Sequence, residues 1–174
     1  MKRTVWIRWM LSLVLVAAAS WLATAYWFGR DIPDPSIQQR TLVSSVLGEE
    51  RTYYVHLPDS YTRSPMQRYP VLYVLDGTSQ SVHVAATAEL MARLGAMPEA
   101  IVIGIPSGDA RNRDYTPPGM RQDADDAGSA EGKADRFLGF IQRELIPRVQ
   151  RELRTTPRRT LVGNSRGGLL VVHA

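Results

Sequence analysis

Three short apolar runs, at residues 71–75, 101–105 and 160–163, constrain this chain more than anything else in it. Each is only four or five residues long, and segments with helical spacing lie between them. Residues 82–94 read as a helix that Gly95 stops, with Pro98 beyond. From 133 to 153 the positions Ala134, Leu138, Ile141, Leu145, Val149 and Leu153 step by three or four, so one helical face is buried. Pro147 should kink that helix. Residues 169–173 begin another. Strands that are apolar along their whole length, alternating with helices, belong in a mostly parallel sheet covered on both faces, an α/β fold.

Ahead of the first apolar run, residues 40–47 and 52–57 are β-rich and flank Gly48-Glu49-Glu50, as an antiparallel hairpin requires. Residues 107–132 are polar, with Pro117-Pro118 and several glycines, and read as one long loop. Loops of that length in a compact domain are often functional.

The amino terminus belongs to another regime. Residues 9–29 carry no charge and follow Lys2, Arg3 and Arg8. Such a segment is either a cleavable export signal, with Ala23-Thr24-Ala25 as its exit, or a retained membrane anchor. Both place the remainder outside the cytoplasm, in the periplasm or facing outward from the inner membrane. The expected organisation is signal or anchor over 1–30, linker over 31–38 with Pro33 and Pro35, and folded domain over 39–174.

Charge placement excludes one class of partner. Four of the 21 basic residues lie in the first thirty positions, leaving the body with 17 of each sign. No basic stripe with interleaved aromatics occurs, so nucleic-acid binding is not expected. There are no cysteines, which excludes disulfides and thiolate metal sites. The three histidines have no ligand spacing, so neither metal nor cofactor is expected.

The chemistry concentrates at Ser165. Gly163-Asn164-Ser165-Arg166-Gly167 fits G-x-S-x-G and sits between an apolar strand and a helix, the setting of a nucleophile elbow. Side chains at Gly163 and Gly167 are expected to collide with neighbouring backbone, which lifts the serine hydroxyl above the sheet. A capping serine in a glycine-rich turn is the plainer account. At the end of an earlier strand stands Asp76-Gly77-Thr78, where ligands of such sheets bind. A backbone N–H there, with that of Arg166, would receive the oxyanion of a tetrahedral intermediate. One such donor is worth about 3 kcal/mol in the transition state. Asp-Gly as a simple turn explains the spacing equally well.

The stretches RTYYVHLPDSY, YPVLYVLDG, IVIGIP, RNRDYTPPG, FLGFIQRELIPRVQREL and LVGNSRGGLL occur in that order. Together they resemble the putative-esterase family of α/β-hydrolases, which includes siderophore esterases, S-formylglutathione hydrolases and mycolyltransferases. The R-x-R-D-x-T-P loop at Arg111, Arg113, Asp114 and Thr116-Pro117 is similar to that of the siderophore-esterase branch. The resemblance implies Ser165 as nucleophile and the N–H groups of Thr78 and Arg166 as oxyanion hole. Asn164 stands where many relatives have histidine. It also implies a carboxylic ester hydrolase that needs no cofactor and acts on a small-molecule, siderophore-type ester. An acyltransferase using the same residues, or an inactive membrane-tethered binding module, are the alternatives. Arg111, Arg113 and Arg121 would attract an anionic substrate, or else are solvated surface residues.

In this fold an acid and then a histidine follow the serine. Beyond Ser165 there is no Asp or Glu, and His173 is the sole imidazole. On a continuous helix it lies about 12 Å along the axis from the serine, out of hydrogen-bond reach. His56 and His83 precede the serine, and structural or surface roles suit them. The expectation is therefore the N-terminal part of a longer enzyme, truncated after the nucleophile elbow.

Overall fold

The computed structural model describes residues 16–17, 19–20, 37–123 and 129–174. The chain divides into two units, Met1–Asp34 and Pro35–Ala174. In the first, Val16, Ala17, Ala19 and Ser20 are helical. The rest of the proposed signal or anchor lies outside the described residues. Among the described residues, no helix is long and apolar enough to cross a membrane.

The second unit is built on a five-stranded mixed sheet: β1 (Ile37–Ser44), β2 (Glu49–His56), β3 (Tyr69–Leu75), β4 (Ile101–Ile105) and β5 (Thr155–Val162). Its strand order is β1-β2-β4-β3-β5. β1 and β2 form the expected antiparallel hairpin, and β2 joins β4 antiparallel. The β4–β3 and β3–β5 pairs are parallel. The sequence-predicted linker ends earlier than expected, because Ile37 and Gln38 already pair with His56 and Val55.

Alternation along the central strands divides the side chains between two faces. Val71, Tyr73, Leu75, Ile101, Ile103 and Ile105 join the main core with Tyr53 and Val55 from β2. This face is covered by a long helical stretch: α3 (Ala134–Phe140), a π-helical turn (Ile141–Leu145) and α4 (Ile146–Glu152). Phe137, Phe140, Leu145 and Val149 are all buried there. The π turn ends two residues before Pro147, which has no N–H to give the preceding turn. A widened turn is a usual way to absorb such a break. The opposite face carries His56, Val74 and Val102 beneath α1 (Gly77–Arg93).

Several boundaries differ from the sequence reading, the last helix for instance starting at Arg166 instead of 169, and three of them matter most. α1 starts at Gly77, not Val82, because its first turn is chosen by contact instead of helical propensity. A Cβ on Gly77 would lie 2.3 Å from the Ile105 nitrogen, and one on Gly104 would lie 2.6 Å from Ser81 Cβ. β5 starts at Thr155, five residues early. Its Pro157, Arg158 and Arg159 are mostly solvent-facing on a strand that pairs only with β3 among the described residues, a position where proline is tolerated. Segment 107–132 is not all loop: a 3-10 turn (Gly108–Ala110) leads into α2 (Arg111–Tyr115). Its buried Asp114 is held by Arg51 and Arg113, and both arginines also reach Glu49. The last helix, α5 (Arg166–His173), follows β5 directly.

Candidate active site

Two strand-to-helix turns meet at one end of the sheet. The parallel register sets Val74 opposite Val162, so β3 and β5 deliver Asp76 and Ser165 at the same edge. The turns are in contact: a Cβ on Gly167 would meet Leu75 Cβ at 3.5 Å and Asp76 Oδ2 at 3.6 Å.

At the second turn Ser165 has φ 54° and ψ −122°. These are the angles of the first central residue of a type II′ turn, normally glycine's place. The Gly167 N–H donates to the Asn164 carbonyl at 2.9 Å and closes the turn. A serine held there stores on the order of 1–3 kcal/mol of strain. Gly163 makes the bend possible, since a Cβ there would lie 2.4 Å from the Gly167 oxygen. The matching expectation for Gly167 does not hold: its Cβ would make ordinary van der Waals contacts. Ser165 is exposed, and among the described residues its hydroxyl has no hydrogen-bond partner.

At the first turn Asp76 has φ 52° and ψ 42°, in the left-handed region that Asp tolerates better than most residues. Its carboxylate accepts Arg111 Nε at 2.8 Å, the second Arg111 nitrogen at 2.9 Å and Ser107 Oγ at 2.9 Å. Its N–H donates to the Tyr115 hydroxyl at 2.9 Å. Burial pushes the Asp76 carboxyl upward, but the Arg111 and Ser107 hydrogen bonds and the guanidinium charge outweigh it and hold the group below its ordinary value. Burial likewise pushes the Tyr115 hydroxyl up to about 12, so it stays protonated.

Thr78 and Arg166 lie in the first turns of α1 and α5, where backbone N–H groups lack intrahelical acceptors. Neither amide has an acceptor among the described residues. Both belong to the positive ends of their helices, where negative charge is favoured. A cleft of about 350 Å³ opens beside them, lined by Asp76, Thr78, Ser79, Gln80, Ser107, Arg111 and Asn164.

Two of the three predicted arginines are not simply solvated. Arg111 lines the cleft but is committed to Asp76, and Arg113 is bound by Asp114 and Glu49. Arg121 is exposed, and its backbone forms an isolated antiparallel β-bridge with that of Glu131. No histidine hydrogen-bonds to Ser165 among the described residues. His56 lies buried with its Nε2 3.0 Å from Ser81 Oγ, His83 is exposed on α1, and His173 Nε2 is 2.6 Å from Asp135 Oδ1. Among the described residues, no cluster of histidine and carboxylate groups is arranged to hold a metal ion. Sequence reading missed Ser107, Tyr115 and the Arg166 side chain. The R-x-R-D-x-T-P pattern marked the region but not what it holds.

A mixed sheet whose β4, β3 and β5 run parallel, helices on both faces and a serine raised on a strand–turn–helix bend define the α/β-hydrolase fold. The chain belongs to the family described as "Putative esterase", whose model matches residues 44–174. It is 30% identical over 141 residues to the ferri-bacillibactin esterase BesA of Bacillus subtilis, covering 72% of this chain and 48% of that protein. It is 34% identical over 134 residues to the siderophore triacetylfusarinine C esterase of Aspergillus fumigatus, covering 69% and 42% respectively. Among solved structures, an IroE-like serine hydrolase from Shewanella oneidensis superposes with TM-score 0.69 at 36% identity, over 79% of this chain and 45% of that one. The chain thus spans about half the length of the curated relatives it matches.

Proposed function

We propose that this chain carries the nucleophile and the oxyanion amides of a serine carboxylic ester hydrolase acting on siderophore-type esters. One observation supports this most: an exposed serine in a glycine-like conformation, and two nearby amides, have no hydrogen-bond partner for hydroxyl or N–H among the described residues. In this reading Ser165 Oγ attacks the ester carbonyl and its proton passes to a general base. The N–H groups of Thr78 and Arg166 receive the negative charge that develops on the carbonyl oxygen. The alcohol departs with a proton, and water releases the acyl group from Ser165.

The base and its acid partner are assigned to chain outside the described residues, because none of the three histidines bonds to Ser165 and the relatives are about twice as long. The names of two relatives, a ferri-bacillibactin esterase and a triacetylfusarinine C esterase, support the substrate class. The basic and then apolar N-terminus supports export, with the segment either cleaved or kept as an anchor.

Hydrolysis of a p-nitrophenyl ester and of a siderophore ester by the full-length protein tests the assignment. Ser165→Ala should lower kcat by more than about a thousand-fold, and a fluorophosphonate should label Ser165 alone. Turnover that survives Ser165→Ala would remove the serine from the mechanism.

A further inference from the structure

Both turns of the site are tied to a single stretch of chain. From Ser107 to Tyr115, three side chains converge on Asp76: the Arg111 fork and the Ser107 hydroxyl on its carboxylate, and the Tyr115 hydroxyl on its N–H. A few residues on, the same stretch receives Arg166. One nitrogen of that guanidinium donates to Thr116 Oγ1 and to the Gln122 carbonyl, each at 2.7 Å. Asp76 lies two residues before Thr78, and Arg166 supplies the second amide itself.

The stretch is firmly seated. Asp114 is 1% exposed and held by two arginines, and Tyr115 is fully buried against Phe137. Thr116 is backed so closely by Gly132 that a Cβ there would lie 1.9 Å from the Thr116 carbonyl oxygen.

We propose that the segment from Ser107 to Gln122 is a brace that sets the spacing of the Thr78 and Arg166 amides, with Arg111 and Arg166 as positioning residues. The inference rests on the oxyanion role proposed above, and it takes Arg111 out of the substrate-attracting role. A guanidinium engaged on a carboxylate through two nitrogens is neutralised and geometrically committed. Its effect on an ester would pass through the Asp76 turn. The Arg166 side chain acts in the same way from the other side, through Thr116.

The test compares Arg111→Gln, Arg111→Lys and Arg166→Met in the full-length protein, using two aryl esters with one leaving group, one neutral and one bearing a carboxylate. For both esters kcat should fall about 10- to 100-fold, the scale of a misplaced oxyanion donor. KM should change less than about two-fold, as for interactions made only in the transition state. Affinity for an aryl boronic acid, which mimics the tetrahedral adduct, should fall in parallel with kcat. Arg111→Lys should do no better than Arg111→Gln, since an ammonium lacks the two-pronged geometry.

A rise in KM confined to the anionic ester and cured by lysine would overturn the brace in favour of charge attraction. Unchanged kcat in every variant would overturn it outright. Amide nitrogen–proton resonances give a readout that needs no turnover: in Arg111→Gln, those of Gly77, Thr78 and Ser79 should shift or broaden while those of β1 stay. If they do not move, the brace fails even where the wild type hydrolyses esters. A wild type inert toward every ester would instead sink the catalytic reading, and the resonances alone would decide the brace. Should Arg111→Gln not fold, Ser107→Ala removes a single bond to the Asp76 carboxylate and is judged by the same criteria.

Discussion

Asp76 and Ser165 are the two non-glycine residues with positive φ among the described residues. They occupy equivalent places, each at the end of a parallel strand and the start of a helix. Yet they are held in opposite ways. Asp76 is gripped through its own polar atoms, with Arg111 and Ser107 on the carboxylate and Tyr115 on the amide. Ser165 is gripped by shape: Gly163 lets the chain fold back against the Gly167 carbonyl, and the turn closes through backbone. The first device uses up the side chain, while the second leaves a hydroxyl unengaged. A residue that must react has to be held by the second kind.

This contrast can be broken by substitution. The largest effect is expected at Ser165→Gly, which should abolish ester hydrolysis, by more than about a thousand-fold in kcat. The same change removes about 1 kcal/mol or more of backbone strain, so thermal denaturation should show a higher Tm. A lower Tm would mean that the serine conformation is not strained.

Next comes Gly163→Ala, whose Cβ would enter the Gly167 carbonyl. It should destabilise the domain by about 2–3 kcal/mol in urea denaturation, as overpacking does. Asp76→Asn keeps the left-handed backbone accessible but weakens the Arg111 fork, and should cost about 1–2 kcal/mol. It also carries a pH signature. A carboxyl held below its ordinary 3.8 stabilises the fold above that value, and the contribution disappears as pH falls through the still lower folded value. Stability below about pH 4 should therefore decline less steeply in Asp76→Asn than in the wild type. Glu49 and Glu144, also held low, keep their shares of the acid loss. The smallest effect belongs to Gly167→Ala. With only ordinary contacts around it and a helical setting, it should shift stability by less than about 1 kcal/mol.

Period and punctuation were enough to read the hairpin, the two central apolar strands and the helical stretch from 134 to 152. In each, burial on one face or both leaves a visible pattern. Where contact overrides propensity, the pattern is silent. The first turn of α1 is glycine, threonine and serine, poor helix formers, and Gly77 is required there because its Cα packs against β4. The first half of β5, with Pro157 and Arg158, pairs only with β3 among the described residues.

The site divides along the same line. Ser165 was readable because its glycines obey a local steric rule, though that rule binds Gly163 and not Gly167. The grip on Asp76 was not, because it comes from residues 31–39 positions away and only folding brings them together. Arg111 looked like a solvent-facing or substrate-facing cation for the same reason. Sequence shows a charge but not its counterion.

One further contact has a temporal consequence. The turn between β1 and β2 is clasped by Glu144, which accepts from the hydroxyls of Ser44 and Ser45 and from the amides of Ser45 and Val46, 98–100 residues away in sequence. Closing so long a stretch of chain costs entropy before the contact can repay it. During refolding, then, the hairpin should find its resting place only after the helix bearing Glu144 has docked, and pulse-labelled exchange should record the Val46 amide among the last to gain protection. Two strands made ahead of the other three described strands would be among the last to come to rest.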